Sequence, residues 1–134
     1  MTLVVDSSVA SKWILPERDS DRAARLHDLA DEFIAPTLIH AEIGNAIWKR
    51  VLWRELSPND ANEALARAIA LFTSLVPMED LTTRALSIAC ELDHPIYDCF
   101  YLALAEREQC PCVTADKRLV AAAKGLKSVE VRVP

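Results

Sequence analysis

Thr2-Leu3-Val4-Val5-Asp6-Ser7-Ser8-Val9 opens on an apolar run that Asp6 ends. Residues Thr2 to Val5 read as a strand, and the residues from Val9 to Leu15 as a helix that Pro16 closes. The same alternation recurs downstream. Phe33-Ile34-Ala35, stopped by Pro36, Leu75-Val76-Pro77, Pro111 to Thr114 and Val129 to Val133 are further short strands. Strands that alternate with helices predict a parallel sheet with helices on both faces, joined by right-handed crossovers.

Helix signals fill the intervals. Asp19 or Ser20 caps a helix with Ala23, Leu26, Leu29 and Ala30 at helical spacing. Thr37 caps a long helix reaching about Leu56, with Ile39, Ile43, Ala46 and Ile47 on its apolar side. Ser57-Pro58-Asn59-Asp60 places an N-cap serine, a first-turn proline and an acid in the order a helix start favours. A helix follows from about Asp80 to Leu92, then the turn His94-Pro95, then a helix with Asp98 in its first turn, and finally a short helix from Lys117 to Ala123. A chain of 134 residues, 51% apolar and without a linker, repeat or low-complexity tract, is expected to form one α/β domain spanning residues 1–134.

Composition excludes several functions. Two glycines leave little material for a phosphate-cradling loop. No apolar run approaches the ~18 residues of a membrane span, and the N-terminus does not read as a signal peptide. The formal charge of −5 argues against a module that grips nucleic acid by charge alone, and much less against a nuclease that works through bound metal. The four cysteines read as free thiols in a reducing cytoplasm. A zinc site joining Cys90 and His94 to Cys110 and Cys112 is the rarer alternative.

Four acids stand at or near strand-to-helix passages: Asp6, Glu42, Asp98 and Asp116. Each has an ordinary explanation. Asp6 and Asp116 suit helix caps, Asp98 suits the positive end of a helix, and Glu42 suits a solvated face shared with Leu38, Asn45 and Lys49. Together they point further. Ligands of open parallel sheets lie at the carboxyl ends of the strands, where strand order reverses. If the first and fourth strands are neighbours, Asp6 and Asp116 lie side by side there. Carboxylates gathered in an apolar fold need a cation, and hard cations such as Mg²⁺ take oxygen ligands.

Four segments in this order resemble the motif series of PIN-domain nucleases. They are Leu3-Val4-Val5-Asp6-Ser7-Ser8-Val9, Ala41-Glu42-Ile43-Gly44-Asn45-Ala46, Tyr97-Asp98-Cys99-Phe100-Tyr101-Leu102-Ala103-Leu104-Ala105 and Val113-Thr114-Ala115-Asp116-Lys117-Arg118-Leu119. The length and the third segment are most similar to VapC toxins of toxin–antitoxin pairs. That resemblance implies a five-stranded parallel sheet and an endoribonuclease dependent on Mg²⁺ or Mn²⁺. It also implies an acidic pocket of Asp6, Glu42, Asp98 and Asp116, supporting polar roles for Ser8, Asn45 and Thr114, a cognate antitoxin and a homodimer. Cys99 stands where the family often has a small residue. Asp6 and Asp116 are assigned as direct or water-mediated ligands, completed by Asp98 and Glu42, with water as the attacking group. Lys12, Lys49, Arg50, Lys117 and Arg118 are candidate contacts to the RNA backbone. Trp13, Trp48 and Trp53, with Ile47, Val51 and Leu52, are expected in the core, a dimer contact or a groove for the antitoxin.

Three rival readings remain: a phosphatase or phosphotransfer domain, a silent interaction module, and a structure-specific DNA nuclease. A haloacid-dehalogenase-like site needs an aspartate two residues after the first, where this chain has Ser8. A receiver domain needs an acid pair before the first helix. The DNA nuclease lacks its extra helical arch here.

Overall fold

The computed structural model describes residues 1–15 and 20–134. The expected helix stop at Pro16 and the alternative cap Asp19 lie outside the described residues. Five parallel strands form one sheet: β1 (Thr2–Val5), β2 (Glu32–Pro36), β3 (Ser74–Val76), β4 (Cys112–Val113) and β5 (Val131–Arg132). Their order is β3-β2-β1-β4-β5. β1 is central, and Leu3, Val4 and Val5 are all buried, as a strand covered on both faces requires.

The helices are α1 (Ser7–Ile14), α2 (Ser20–Ala24), α3 (Leu26–Leu29), α4 (Ile39–Leu52), α5 (Pro58–Ala70), α6 (Thr82–Leu92), α7 (Ile96–Glu108) and α8 (Lys117–Ala123). From β1 the chain steps outward through β2 to β3, then returns across β1 to β4. Right-handed crossovers in opposite directions place the earlier helices on one face and the later ones on the other. Accordingly α1, α4 and α5 pack together, whereas α7 packs on α6 and lies over β1, β2 and β4. Every residue of α7 from Cys99 to Ala105 is buried, so this helix shows no polar stripe there.

Several expected boundaries move, each for a local reason. α1 starts at Ser7 rather than Val9, because the Asp6 side chain accepts from the Ser8 N–H and caps it. Thr37 is not the cap of α4; its hydroxyl accepts from the Met78 N–H at 3.3 Å and ties that corner to the turn after β3. α4 ends at Leu52 rather than Leu56, and Arg54 adopts a left-handed φ of 59°. Residues Met78–Asp80 form a 3-10 turn, so α6 begins at Thr82. β2 extends through Pro36, which needs no N–H at the strand's last position. β5 is only Val131–Arg132, although Val129 is buried beside it. The Ser57 cap forms as expected, accepting from the Asp60 N–H at 3.1 Å.

Candidate active site

β1 and β4 are neighbours on either side of the strand-order reversal, and their carboxyl ends are stitched together by side chains. The Asp6 N–H donates to the Val113 carbonyl at 3.2 Å. Asp6 Oδ1 accepts from the Ser8 N–H at 3.1 Å and from Ser8 Oγ at 2.5 Å. Its Oδ2 accepts from Thr114 Oγ1 at 2.5 Å. Each hydroxyl in turn accepts from β4's continuation: Ser8 Oγ from the Ala115 N–H at 2.9 Å, and Thr114 Oγ1 from the Asp116 N–H at 3.0 Å. Asp116 caps α8, accepting from the Arg118 N–H at 2.9 Å.

Asp6 is only 4% exposed. Burial pushes its carboxyl from the ordinary 3.8 up to about 6, against the hydrogen bonds from Ser8 and Thr114; the negative charge of Asp98 pushes the same way. Glu42, in the first turn of α4, accepts from the Tyr101 hydroxyl at 2.6 Å. Its carboxyl is also raised, first by burial and further by Asp98, against the Tyr101 bond. Asp98, in the first turn of α7, meets His94 Nε2 at 2.7 Å through Oδ2. Asp6, Glu42 and Asp98 therefore share one electrostatic field, whereas Asp116 is tied to it only through its backbone N–H on Thr114 Oγ1, its carboxylate being turned to the cap of α8.

The other named candidates divide by position. Ser8 and Thr114 bind Asp6 directly, whereas Asn45 is exposed on α4. Lys12 and Lys117 line a cavity of about 190 Å³ together with Ala115, beside the carboxylates. Lys49 and Arg118 are exposed, and the Arg50 guanidinium meets Glu55 at 2.8 Å at the far end of α4.

A PIN-domain family model matches residues 3–125. The chain belongs to the PIN-domain family. Within it, this PIN domain is 32% identical to ribonuclease VapC9 of Mycobacterium tuberculosis, over 87% of both chains. It is 29% identical to ribonuclease VapC3 of Pyrobaculum aerophilum, over 89% of this chain and 92% of that one. A toxin–antitoxin complex from Klebsiella pneumoniae shares its fold, with a TM-score of 0.71 at 14% identity, covering 95% of this chain and 94% of that one.

Nucleases of the PIN-domain VapC type generally depend on a divalent metal. The donors that this PIN domain brings into one field suit such an ion: the carboxylates of Asp6, Glu42 and Asp98, with the Ser8 and Thr114 hydroxyls behind Asp6. Among the described residues, no three His, Cys, Asp or Glu side chains converge closely enough to hold an ion by themselves. Magnesium tolerates that, since it binds one or two carboxylates and keeps several waters. The zinc alternative does not form: all four cysteines are free, Cys112 is buried while Cys90 is exposed, and His94 faces Asp98.

Two members of the network are not read as partners of the acids in the sequence. Tyr101 is fully buried, and a buried phenol needs a hydrogen-bond partner, which is the one available signal. His94 stands in the turn between α6 and α7, four residues before Asp98, and from there its ring reaches the first turn of α7.

Proposed function

We propose that this PIN domain is the endoribonuclease toxin of a toxin–antitoxin pair, hydrolysing RNA phosphodiester bonds with Mg²⁺ or Mn²⁺ at Asp6, Glu42, Asp98 and Asp116. The observation that carries the reading is Asp6. Its buried carboxylate has both oxygens aimed by hydroxyls and feels the like charge of Asp98, an arrangement that costs stability unless a cation is bound.

When bound, the divalent ion would offset the carboxylate charge, make a coordinated water a better nucleophile and stabilise charge on the scissile phosphate. The protein's part is orientation. Ser8 and Thr114 hold Asp6, Tyr101 holds Glu42, and His94 holds Asp98. Asp6 and Asp116 are the nearest ligands, direct or through water, and Lys12 and Lys117 draw the RNA backbone towards them. A phosphotransfer role for Asp6 is disfavoured, because the position that would carry its acid partner holds Ser8, whose hydroxyl is already donated to Asp6.

An antitoxin and a second copy of this chain are the expected protein partners. Trp48, Leu52 and Trp53 are 53%, 58% and 60% exposed, and apolar surface of this kind marks a protein interface. The free thiols and the RNA substrate suit the cytoplasm, and no helix among the described residues is long and apolar enough to cross a membrane. Purified protein should cleave RNA with Mg²⁺ or Mn²⁺ and stop in EDTA. Asp6→Asn or Asp98→Asn should abolish cleavage while the fold survives, and activity retained in both variants would end the assignment.

A further inference from the structure

We propose that single-stranded RNA leaves the carboxylates along a groove between α2–α3 and the β4–β5 edge, with one unstacked base seated in the groove's apolar far end. The proposal rests on the ribonuclease reading above. Two adjoining cavities of about 190 Å³ and 270 Å³ form the groove, sharing Arg22, Val133 and Pro134 as walls. The near cavity opens at Ala115, between Thr114 and Asp116 of the hydrogen-bonded site. A strand held at the carboxylates therefore enters this groove first.

Charge selects the occupant. Among the described residues the walls carry Lys12, Arg22, Arg25, Lys117 and Arg132 with no Asp or Glu, on a chain whose formal charge is −5. By contrast, the cavity at the other ends of the strands carries Glu106 and Glu130. Glu130 holds Arg132 by two contacts, at 2.6 and 3.1 Å, and largely offsets that charge. The phosphate grip then falls chiefly to Lys117, Arg22 and Arg25. The far cavity is lined by the apolar Leu3, Leu26, Leu29 and Val113 together with Arg22 and Arg25. Single-stranded RNA is read through splayed bases that stack on guanidinium planes and apolar side chains, so phosphate grip and base seat belong to one ligand. An acidic peptide would answer the charge, but it accounts for neither the apolar floor nor the junction with the carboxylates.

The test is fluorescence anisotropy of a labelled single-stranded RNA of about ten nucleotides, alongside cleavage by the wild-type chain. Arg22→Gln/Arg25→Gln should weaken binding roughly tenfold at ~0.15 M salt and flatten the slope of log affinity against log salt by about 1.4. Leu29→Ser, at an exposed position of the floor, should weaken binding without that change of slope. Arg67→Gln, exposed on α5, should change neither. Unchanged affinity and slope in the double arginine variant overturn the groove even if the wild type cleaves RNA. Loss of cleavage alone, with binding still dependent on these arginines, would count against the nuclease reading and not against the groove. Preferential binding of polyglutamate over the RNA would assign the groove to an acidic protein segment and overturn the proposal.

Discussion

Replacing Asp6 by Asn should make the metal-free protein more stable while abolishing its activity. A rise in the Asp6 pKa from 3.8 to about 6 means that the ionised carboxylate costs the fold about 3 kcal/mol at neutral pH. The sign follows from linkage. The folded state binds the proton more tightly, so the stability is fully present below 3.8 and is lost as pH rises through 6. Asn removes the charge but turns an N–H towards a hydroxyl that now donates to it. Ser8 and Thr114 each already accept a backbone N–H, so one hydrogen bond of about 1 kcal/mol is lost. The net gain is about 2 kcal/mol, which in a domain of this size raises Tm by roughly 6–8 °C. Thermal unfolding followed by circular dichroism in EDTA measures it. The gain should appear at pH 7.5 and vanish near pH 4, where folded wild-type Asp6 is already protonated. Excess Mn²⁺ should then reverse the order, since an ion bound only by the folded wild type stabilises it by mass action. A variant less stable than wild type at pH 7.5, or equally advantaged at both pH values, would refute the account of Asp6 as a carboxylate held against its own burial.

Thr114→Val keeps the shape of a fully buried side chain but deprives Asp6 Oδ2 of its donor and the Asp116 N–H of its acceptor. Urea unfolding at pH 7.5 should show a loss of about 2–4 kcal/mol, and an unchanged midpoint would remove the hydroxyl from the account. Tyr101→Phe removes the 2.6 Å bond to Glu42 and raises that carboxyl's pKa further. Stability should fall by about 2 kcal/mol and RNA cleavage at least tenfold, whereas full activity would leave Tyr101 as core packing alone. Trp48→Ser/Leu52→Ser, both on the exposed apolar face of α4, should convert a dimer to a monomer in sedimentation velocity. A dimer that persists would place the self-association elsewhere.

The short-range features of this chain were readable because short-range physics sets them. Thr2–Val5 and Lys117–Ala123 fall where the apolar pattern and the flanking acids put them. The Ser57 cap is local in the same way. The acids are a subtler case. Capping and a functional site were competing explanations for Asp6 and Asp116, yet both carboxylates do cap helices, and Asp6 is also buried beside charged neighbours. The two explanations are compatible because a helix that starts at the carboxyl end of a strand needs its cap where an open parallel sheet gathers ligands. α7 illustrates what periodicity cannot supply: a helix buried on all sides from Cys99 to Ala105 has no stripe to read. The link from Tyr101 to Glu42 spans 59 residues and the one from Thr114 to Asp6 spans 108. Handedness rules give the sense of each crossover but not the strand order, and only the return of the chain across β1 brings β4 to its side. The candidate site is therefore a consequence of that single reversal, since without β4 beside β1 the hydroxyl of Thr114 could not reach Asp6.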